Sequence, residues 1–474
     1  MTLRLSLSKW AASYATRFMP FADAASPELP LGRLLRLAMF QLVIGMITAL
    51  LVGTLNRVMI VELHVPAWWV ALAVAIPMVF APLRTLIGYR SDTHPSALGL
   101  RRIPYLWSGS LLLFGGLSIM PFALLLLAEA VPETLWLGRF GAGLCFVMIG
   151  TGLQITQTAG MALANDVAPE DKRPRVVALL YCMLLIGMIC ASVLYGFFLA
   201  DFTPLRMIQV IQTSAVLVIV INLLSMWKQE SRQAKRGARE KGGFSANWKE
   251  LMGMPQMRRF LWTVGLGSLA FSMQDIVLEP YGAEILGLDV GDTSSLTALG
   301  AVGSLIAFGL SARWLAQGWH ACRLASLGIV MGLPAFALVI FAAPTESIAM
   351  FRAGVVLIGF GSGLFSVGML VTAMSFQNSR MSGLILGTWG AVQATATGAA
   401  MALGGALRDV ISELALSGQL GEALISPVTG YSFVYHLEIY LLFVVLIALG
   451  PLLKQSRTES KQPVLKFGLA ELPS

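Results

Sequence analysis

Residues 139–153 read RFGAGLCFVMIGTGL, and residues 352–364 read RAGVVLIGFGSGL. Each stretch begins with an arginine, continues through an apolar run and ends in Gly-x-Gly-Leu. The two arginines are 213 positions apart in a chain of 474 residues. With 47 glycines in the chain, a Gly-x-Gly sequence can recur by chance, but chance does not account for the matching arginine. The chain is therefore predicted to contain two related halves.

The composition around these stretches is typical of a membrane protein. Hydrophobic residues make up 57% of the chain and charged residues only 12%, whereas about 25% is usual for a soluble protein. The hydrophobicity excludes a disordered chain, and four cysteines exclude a disulfide scaffold. The net charge of +8 is more often a sign of basic cytoplasmic loops than of nucleic-acid binding in a membrane protein.

A helix needs about 20 consecutive apolar residues to cross a bilayer, and the sequence has twelve such stretches. They are continuous rather than alternating, which predicts helices and not barrel strands. They are numbered spans 1 to 12 and lie at 34–60, 67–89, 104–128, 136–164, 175–200, 205–227, 258–284, 294–317, 321–342, 347–375, 383–411 and 430–453. The two repeated stretches fall in spans 4 and 10, so the repeat relates six spans to six.

Basic residues concentrate on one side of this arrangement. The N-terminal segment, the loops after the even-numbered spans and the C-terminal tail hold 28 of the 33 Lys and Arg residues. By the positive-inside rule these parts are cytoplasmic, which predicts a multi-pass protein of the bacterial inner (intracytoplasmic) membrane with both termini in the cytoplasm. The remaining five are on the other side: Arg57, Arg139, Arg206, Arg352 and Arg408.

The pattern divides the chain into five segments. Residues 1–33 have apolar positions spaced three or four apart and are predicted to be an amphipathic surface helix with a linker; they have no signal-peptide pattern. Residues 34–227 and 258–453 are the two six-helix halves. Residues 228–257 form a basic cytoplasmic linker beside anionic lipid, and residues 454–474 form a cytoplasmic tail. Two pseudo-symmetric halves predict an all-α integral membrane protein with the major facilitator fold.

The loop after span 2 supports this fold. It contains a glycine, an aspartate four residues later and then paired basic residues, which is the facilitator loop pattern, although the basic pair comes later than usual. Conformational locking between neighbouring spans is favoured here over ligand binding. The motif consists of Gly88, Arg90, Asp92, Arg101 and Arg102.

Three segments carry a more specific resemblance: 55–63 (LNRVMIVEL), 87–94 (IGYRSDTH) and 273–282 (MQDIVLEPYG). Together with NDVAP at 165–169, they resemble the bacteriochlorophyll delivery family, the PucC/LhaA-type assembly proteins of purple phototrophic bacteria. The resemblance covers about residues 33–453. It implies an assembly factor for a light-harvesting antenna that binds or delivers bacteriochlorophyll, or a late precursor, as cargo.

The resemblance also implies partners: antenna polypeptides in the bilayer, the reaction-centre complex and bacteriochlorophyll synthesis enzymes, with no nucleic acid. The length slightly favours the core antenna over the peripheral one. Two other functions stay open, namely a small-solute facilitator transporter and a membrane chaperone for antenna helices without pigment handling. No nucleophile–base set, phosphate loop or metal-ligand spacing is present, so neither an enzyme nor a nucleotide or metal site is predicted.

Ionisable groups inside a span are costly and mark candidate functional residues. Asp275 and Glu279 in span 7 are four apart and are predicted to share one helix face, with Gln274 beside them and Pro280 ending or kinking the helix. One interpretation is a polar patch that lines a cavity. The other is a pair between Glu279 and Arg57 of span 1, acting as a gate between the halves; the two are compatible.

The other candidates are less specific. Tyr281 completes the polar block of span 7. Arg139 and Arg352 could each hold a negative group of the substrate, but pairing with a carboxylate or capping of a helix is favoured. His64 and His436 are candidate axial ligands for the magnesium of bacteriochlorophyll, because neutral imidazole is the usual ligand in antenna proteins, although a water or a backbone carbonyl could serve instead.

Overall fold

The computed structural model of the chain describes residues 30–79, 81, 100, 102–128, 132–169, 173–230, 244–376 and 382–458. Several predictions lie outside these residues: the surface helix before residue 30, the greater part of the loop motif after span 2 (Gly88, Arg90, Asp92 and Arg101), and the tail after residue 458. Within the described ranges all the regular secondary structure is helical.

Each of the twelve predicted spans contains a helix among its described residues, although span 2 is described only at 67–79 and 81. In the N-terminal half the helices are Leu31–Thr48 with its π-helical continuations Ala49–Leu55 and Val58–Glu62 (span 1), Ala67–Val79 (span 2), Ile103–Ala128 (span 3), Pro132–Val167 (span 4), Arg173–Phe198 (span 5) and Pro204–Met226 (span 6).

The predicted linker contains the helix Phe244–Gly253. The C-terminal half then consists of Pro255–Ser272, Gln274–Ile276 and Leu278–Glu284 (span 7), Val290–Ala316 (span 8), Ala321–Ala342 (span 9), Ile348–Ser375 (span 10), Ser382–Leu416 (span 11) and Val428–Thr458 (span 12). Ten helices of the described chain are long and apolar enough to cross a membrane. The protein is a multi-pass, all-helical membrane protein, as predicted.

The outer surface of the bundle is apolar. Large hydrophobic side chains are strongly exposed there, for example Phe197 at 76% and Ile447 at 77%. A soluble protein rarely exposes contiguous apolar surface on this scale, but in a bilayer lipid tails cover it. Polar side chains that are buried inside the bundle therefore face other helices, and these are the groups that need an explanation.

The two halves pack closely at the end of the bundle that holds the last turns of the odd-numbered spans, called here the end with few basic residues. Gly196 near the end of span 5 and Gly291 at the start of span 8 bring two backbones together. A Cβ added to either glycine would lie 2.9 Å from the carbonyl oxygen of the other, so only glycine fits. Small residues permit such close helix approach in membranes, and here they join the halves.

Candidate functional site

Span 7 is interrupted near its middle. The helix Pro255–Ser272 ends, Gln274–Ile276 forms a single 3₁₀ turn, and an α-helix resumes at Leu278–Glu284. A broken helix frees backbone N–H and C=O groups, which in a membrane is tolerated only where the protein itself satisfies them. The interruption therefore identifies the part of the bundle where polar partners from other spans must converge.

This break corrects the prediction that Asp275 and Glu279 share a face of one regular helix. Asp275 lies in the 3₁₀ turn and Glu279 in the first turn of the resumed helix, so the regular spacing of four does not apply between them. Pro280 follows the break and does not end the helix. In the first turn its missing N–H removes no intrahelical hydrogen bond, which is why the proline is tolerated there.

Two side chains satisfy the backbone of the break. The N–H of Gln274 donates to Oε1 of Glu438 on span 12, with a distance of 2.7 Å between the heavy atoms. On the other side of the turn, Nδ2 of Asn56 on span 1 donates to the carbonyl oxygen of Ile276 at 2.9 Å. Both Glu438 and Asn56 are completely buried. One partner comes from the same half and the other from the opposite half, so the break lies at the interface of the two.

Glu438 is a functional candidate that the sequence reasoning missed. Its Oε2 is buried and has no hydrogen-bond partner in the described structure, and it is close enough to Asp275 for the two carboxyl groups to interact electrostatically. Asp275 also accepts a hydrogen bond from Nε2 of Gln274. A lone acid within apolar span 12 meets the criterion that marked Asp275 and Glu279, and that signal would have found it.

Glu279 lies against span 1 and span 8. Its side chain is 2% exposed, and Oε1 accepts a hydrogen bond of 2.6 Å from Oγ1 of Thr297. Gly53 of span 1 packs directly on this pair, since an added Cβ would collide with Oε1 of Glu279 and with Oγ1 of Thr297. The second carboxylate oxygen, Oε2, is buried without a partner among the described residues.

The predicted ion pair between Arg57 and Glu279 is wrong as a direct contact. Arg57 pairs instead with Glu62, with 2.5 Å between Nη1 and Oε1. The reason is local: the chain from Val58 to Glu62 is π-helical, and a π-helix places residues five apart next to each other. Arg57 is still near enough to interact electrostatically with Glu279, so the two face the same interface between the halves.

Tyr281 is a packing residue of the C-terminal half and does not line an open cavity. It is fully buried, its hydroxyl donates to the carbonyl oxygen of Val339 at 3.1 Å, and its ring centroid lies 5.4 to 5.6 Å from three other rings. These rings belong to Phe351, Tyr431 and Tyr435. The cluster anchors the resumed part of span 7 to spans 10 and 12.

A second polar network lies at the end with few basic residues. Arg408 of span 11 contacts Glu284, Asp409 at 2.8 Å and the hydroxyl of Tyr431 at 2.8 Å. Asp409 also accepts a hydrogen bond of 2.8 Å from the backbone N–H of Trp68 at the start of span 2. The network thus joins spans 7, 11 and 12 to the opposite half.

The two repeated arginines have different surroundings. Arg352 forms an ion pair with Asp292 of span 8, with 2.8 Å between Nη2 and Oδ1, which agrees with the favoured interpretation. Arg139 has no such carboxylate in the described chain, while the Nε atoms of both arginines are buried without a hydrogen-bond partner. It lies in an apolar groove between spans 2 and 4. The repeat therefore gives the two arginines equivalent positions but not equivalent contacts.

At the opposite, basic end, Arg102 is the described member of the predicted loop motif. It is 6% exposed, and its Nε donates to Oδ2 of Asp166 at 3.0 Å. The backbone N–H groups of Arg102 and Ile103 donate to the carboxylate of Glu230, each at about 3.1 Å. These contacts tie the start of span 3 to the ends of spans 4 and 6.

Comparison with known proteins identifies the chain at the level of the family. Residues 54–457 match the family described as PUCC protein. The chain belongs to the PUCC family. This result confirms the resemblance to the PucC/LhaA-type proteins and covers the break in span 7, both repeated arginines and both candidate histidines.

Three relatives in Rhodobacter capsulatus illustrate how far the likeness to PUCC-family proteins extends. A protein described as an uncharacterized protein in the puhA-bchM intergenic region is 48% identical, over 98% of each chain. Protein PucC is 46% identical, over 96% of this chain and 99% of its own. A protein named bacteriochlorophyll synthase 44.5 kDa chain is 27% identical, over 80% and 88%.

Solved structures support the fold of this PUCC-family chain. A bacterial homolog of the human lysosomal transporter Spinster, in an inward-facing and unoccupied conformation, superposes with a TM-score of 0.66. The alignment covers 93% of this chain and all of the other, at 13% sequence identity. At that identity the likeness concerns the fold alone, and the predicted major facilitator fold is confirmed.

The histidines of the PUCC-family chain differ in their exposure and in the hydrogen bonds of their rings. His436 is exposed on the outer face of span 12, and its Nδ1 is 2.7 Å from the carbonyl oxygen of Ser432. A carbonyl oxygen only accepts, so Nδ1 carries a proton, and in the neutral imidazole the lone pair is then on Nε2. His64 is exposed at the end of span 1, in a left-handed conformation with φ 51°. His320 caps span 9, and burial lowers its pKa, with a smaller contribution from Arg323.

The arrangement supports three kinds of chemistry. The groups at the break can exchange hydrogen bonds if span 1 and span 7 move apart, because Asn56 and Ile276 belong to different halves. The half-buried carboxyl group of Asp275 and the buried ones of Glu279 and Glu438 can accept protons or hydrogen bonds. On the outside, the Nε2 atom of His436 can donate its lone pair to a metal ion from the bilayer side.

Proposed function

We propose that this PUCC-family chain is a membrane assembly factor for a bacterial light-harvesting antenna, with the core antenna favoured, and that it binds or delivers bacteriochlorophyll to antenna polypeptides. The observation that carries the proposal is the match to the family over residues 54–457. The relative named bacteriochlorophyll synthase 44.5 kDa chain supports a connection with the pigment. The chain then acts in the inner membrane, beside antenna polypeptides, the reaction centre and the enzymes that make the pigment.

The outer face of span 12 offers a site that suits such a cargo. Bacteriochlorophyll is a large, flat, apolar molecule with a central magnesium ion, and it reaches a membrane protein sideways from the bilayer. His436 has its Nδ1 fixed by the Ser432 carbonyl, an arrangement that orients an imidazole for metal ligation through Nε2. Phe433 and Tyr440 are exposed on the same helix face and provide apolar ring surface beside the histidine.

The break in span 7 supplies a means of release in this proposal. Asn56, Gln274 and Glu438 hold the broken backbone in one arrangement. Movement of the N-terminal half withdraws Asn56 from Ile276, so the resting state of the break depends on contact between the halves. A partner that binds one half therefore changes the other half, which is the property needed to couple cargo release to the arrival of an antenna polypeptide.

The test uses a bacterial strain from which the gene for this protein has been deleted, together with the purified protein. The strain is complemented with the unaltered gene, with His436→Leu or with His64→Leu, which changes the other exposed candidate histidine and serves as the control. Near-infrared absorbance measures assembled antenna, and the absorption spectrum of the gently purified protein measures bound pigment. We expect pigment on the unaltered and His64→Leu proteins and at least a fivefold loss with His436→Leu. Normal antenna levels in the deletion strain would overturn the assembly role.

Other outcomes of these experiments would favour one of the two alternative functions, a chaperone or a small-solute transporter. Purification with antenna polypeptides but without pigment would replace pigment delivery by a chaperone role. A second candidate, the small-solute facilitator, is favoured by the broken span 7, because transporters place substrate and ion sites at discontinuous helices. Vesicles containing the purified chain would then take up a solute in a manner that depends on Asp275 and Glu438, while antenna levels in the deletion strain would be unaffected.

A further inference from the structure

A groove of about 360 Å³ runs along the outer surface of the N-terminal half, between spans 2 and 4. Its wall consists of apolar side chains, one glycine and one charged residue: Trp69, Leu72, Ala73, Ile76, Phe140, Gly143, Leu144, Val147 and Arg139. Small-molecule sites in proteins have this volume and this make-up, with a mostly apolar lining and a few polar groups that fix the orientation of the ligand.

The groove opens sideways to the bilayer. Phe140 is 64% exposed, and Leu72 and Leu144 are also exposed, although each contributes to the wall. Gly143 makes the room, because the position of its missing Cβ is 3.6 Å from the ring of Trp69. A larger residue at position 143 would project into the groove. The natural occupant is therefore a chain-like apolar molecule that arrives from the lipid.

Arg139 gives the groove a charged end. It lies about 10 Å along the helix that begins at Pro132, from the rise of 1.5 Å per residue, within reach of the head-group layer for a long cationic side chain. A charge at this depth is costly unless it is paired. Arg139 has no carboxylate partner in the described part of the chain, and its Nε is buried and unsatisfied.

Arg352, which corresponds to Arg139 in the repeat, has a carboxylate beside its guanidinium group. Arg352 in span 10 is paired with Asp292. In the N-terminal half the guanidinium faces the apolar groove, and none of the described carboxylates pairs with it. An anion attached to a hydrocarbon chain would supply both the missing negative charge and a shape that fits the groove.

We propose that the groove between spans 2 and 4 is a binding site for an anionic phospholipid. Its acyl chain lies along Leu72, Ile76 and Leu144, and its phosphate accepts hydrogen bonds from Arg139. Arg139 is thus a lipid ligand of the N-terminal half. This assignment is independent of the proposed function, since it concerns a molecule of the bilayer and a surface remote from His436 and from the break in span 7.

Native mass spectrometry of the full-length protein tests the site. The protein is transferred into nanodiscs that contain equal parts of phosphatidylglycerol and phosphatidylcholine and is then released for analysis. Lipid-bound and lipid-free forms are counted for the unaltered protein, Arg139→Gln and Arg352→Gln. We expect one retained phosphatidylglycerol, about a tenfold weaker retention with Arg139→Gln because a charge-assisted hydrogen bond is lost, and no change with Arg352→Gln.

A further variant separates shape from charge. Gly143→Leu fills the groove but keeps Arg139, and it too is expected to lose the retained lipid, while far-UV circular dichroism confirms that the protein is folded. Equal retention of phosphatidylglycerol by the unaltered protein and Arg139→Gln would overturn the proposal, as would equal retention of the two lipids by the unaltered protein. A pigment or a peptide that is displaced by Gly143→Leu, with lipid retention unchanged, would assign the groove to that molecule and would also overturn it.

Discussion

Spans 1 and 7 occupy corresponding places in the two halves, and both abandon the regular α-helix, but in different ways. Span 1 stays continuous by winding into π-helical turns at Ala49–Leu55 and Val58–Glu62. Span 7 breaks at Gln274–Ile276 and takes side chains from other spans to satisfy its backbone. The two irregular segments touch each other, and Asn56 of span 1 donates a hydrogen bond to the broken backbone of span 7.

A membrane protein built from two related halves tolerates irregular backbone where the halves meet. In hydrocarbon an unsatisfied backbone group costs several kcal/mol, so the break must be enclosed by protein, and the interface between the halves is enclosed on both sides. Arg352 and Arg139 differ in a related way: Arg352 pairs with an acid of its own chain, whereas Arg139 faces a groove that is open to the bilayer.

Glu438→Ala should have the largest effect, because it removes the acceptor for the Gln274 N–H and leaves a cavity beside the break. We expect the free energy of unfolding to fall by about 2–4 kcal/mol, measured from SDS unfolding in mixed micelles by far-UV circular dichroism. Glu438→Gln keeps an acceptor oxygen and should lose less than half as much. Similar losses for the two variants would mean that the break does not depend on this hydrogen bond.

Gly53→Ala should cause the second-largest loss of stability, since the new Cβ overlaps Glu279 and Thr297 at the contact between spans 1 and 8. Overpacking of this kind costs about 1–3 kcal/mol, to be read from the same unfolding measurement. Gly32→Ala is the matched control on the same span, because nothing lies within 4 Å of its added Cβ. An unchanged stability of Gly53→Ala would show that the two spans are free to separate there.

Asn56→Leu tests the bond between the halves at the break. It leaves the carbonyl oxygen of Ile276 without its side-chain donor, which should cost about 1–2 kcal/mol. Thr48→Val removes a hydrogen bond within span 1 alone and is expected to cost less. If the free energy of unfolding falls equally in both variants, the hydrogen bond between Asn56 and Ile276 stabilises the protein no more than a hydrogen bond within one span does.

Arg352→Gln should have the smallest effect on stability. Its ion pair with Asp292 is close to half exposed on both sides, and such pairs contribute about 0–1 kcal/mol. Arg139→Gln should likewise leave the unfolding midpoint nearly unchanged in detergent without added lipid. A large loss for either variant would show that the arginine holds its half together and is more than a surface charge.

Much of the fold could be predicted from the sequence because a bilayer makes simple demands. Apolar length indicated the twelve spans, and the Arg and Gly-x-Gly repeat in spans 4 and 10 indicated the two halves. The polar block around Asp275 indicated a candidate functional segment, but the break at Gln274–Ile276 was not predicted. The side chains that satisfy this segment could not be predicted, because Asn56 and Glu438 are 218 and 164 residues away from Gln274 in the sequence. No local sequence rule connects residues so far apart.

By itself, the sequence determined that the chain is a multi-pass helical protein with related halves, that it carries the family's motifs, and that costly polar groups lie in span 7. Only the tertiary structure decided that Arg57 pairs with Glu62, that Glu438 supports the break, and that Arg139 faces a lipid-exposed groove while Arg352 has an acid. The physical reason is one of distance. Hydrophobic transfer depends on each segment alone, whereas hydrogen bonds and ion pairs act over about 3–4 Å, and packing between helices decides which side chains come that close.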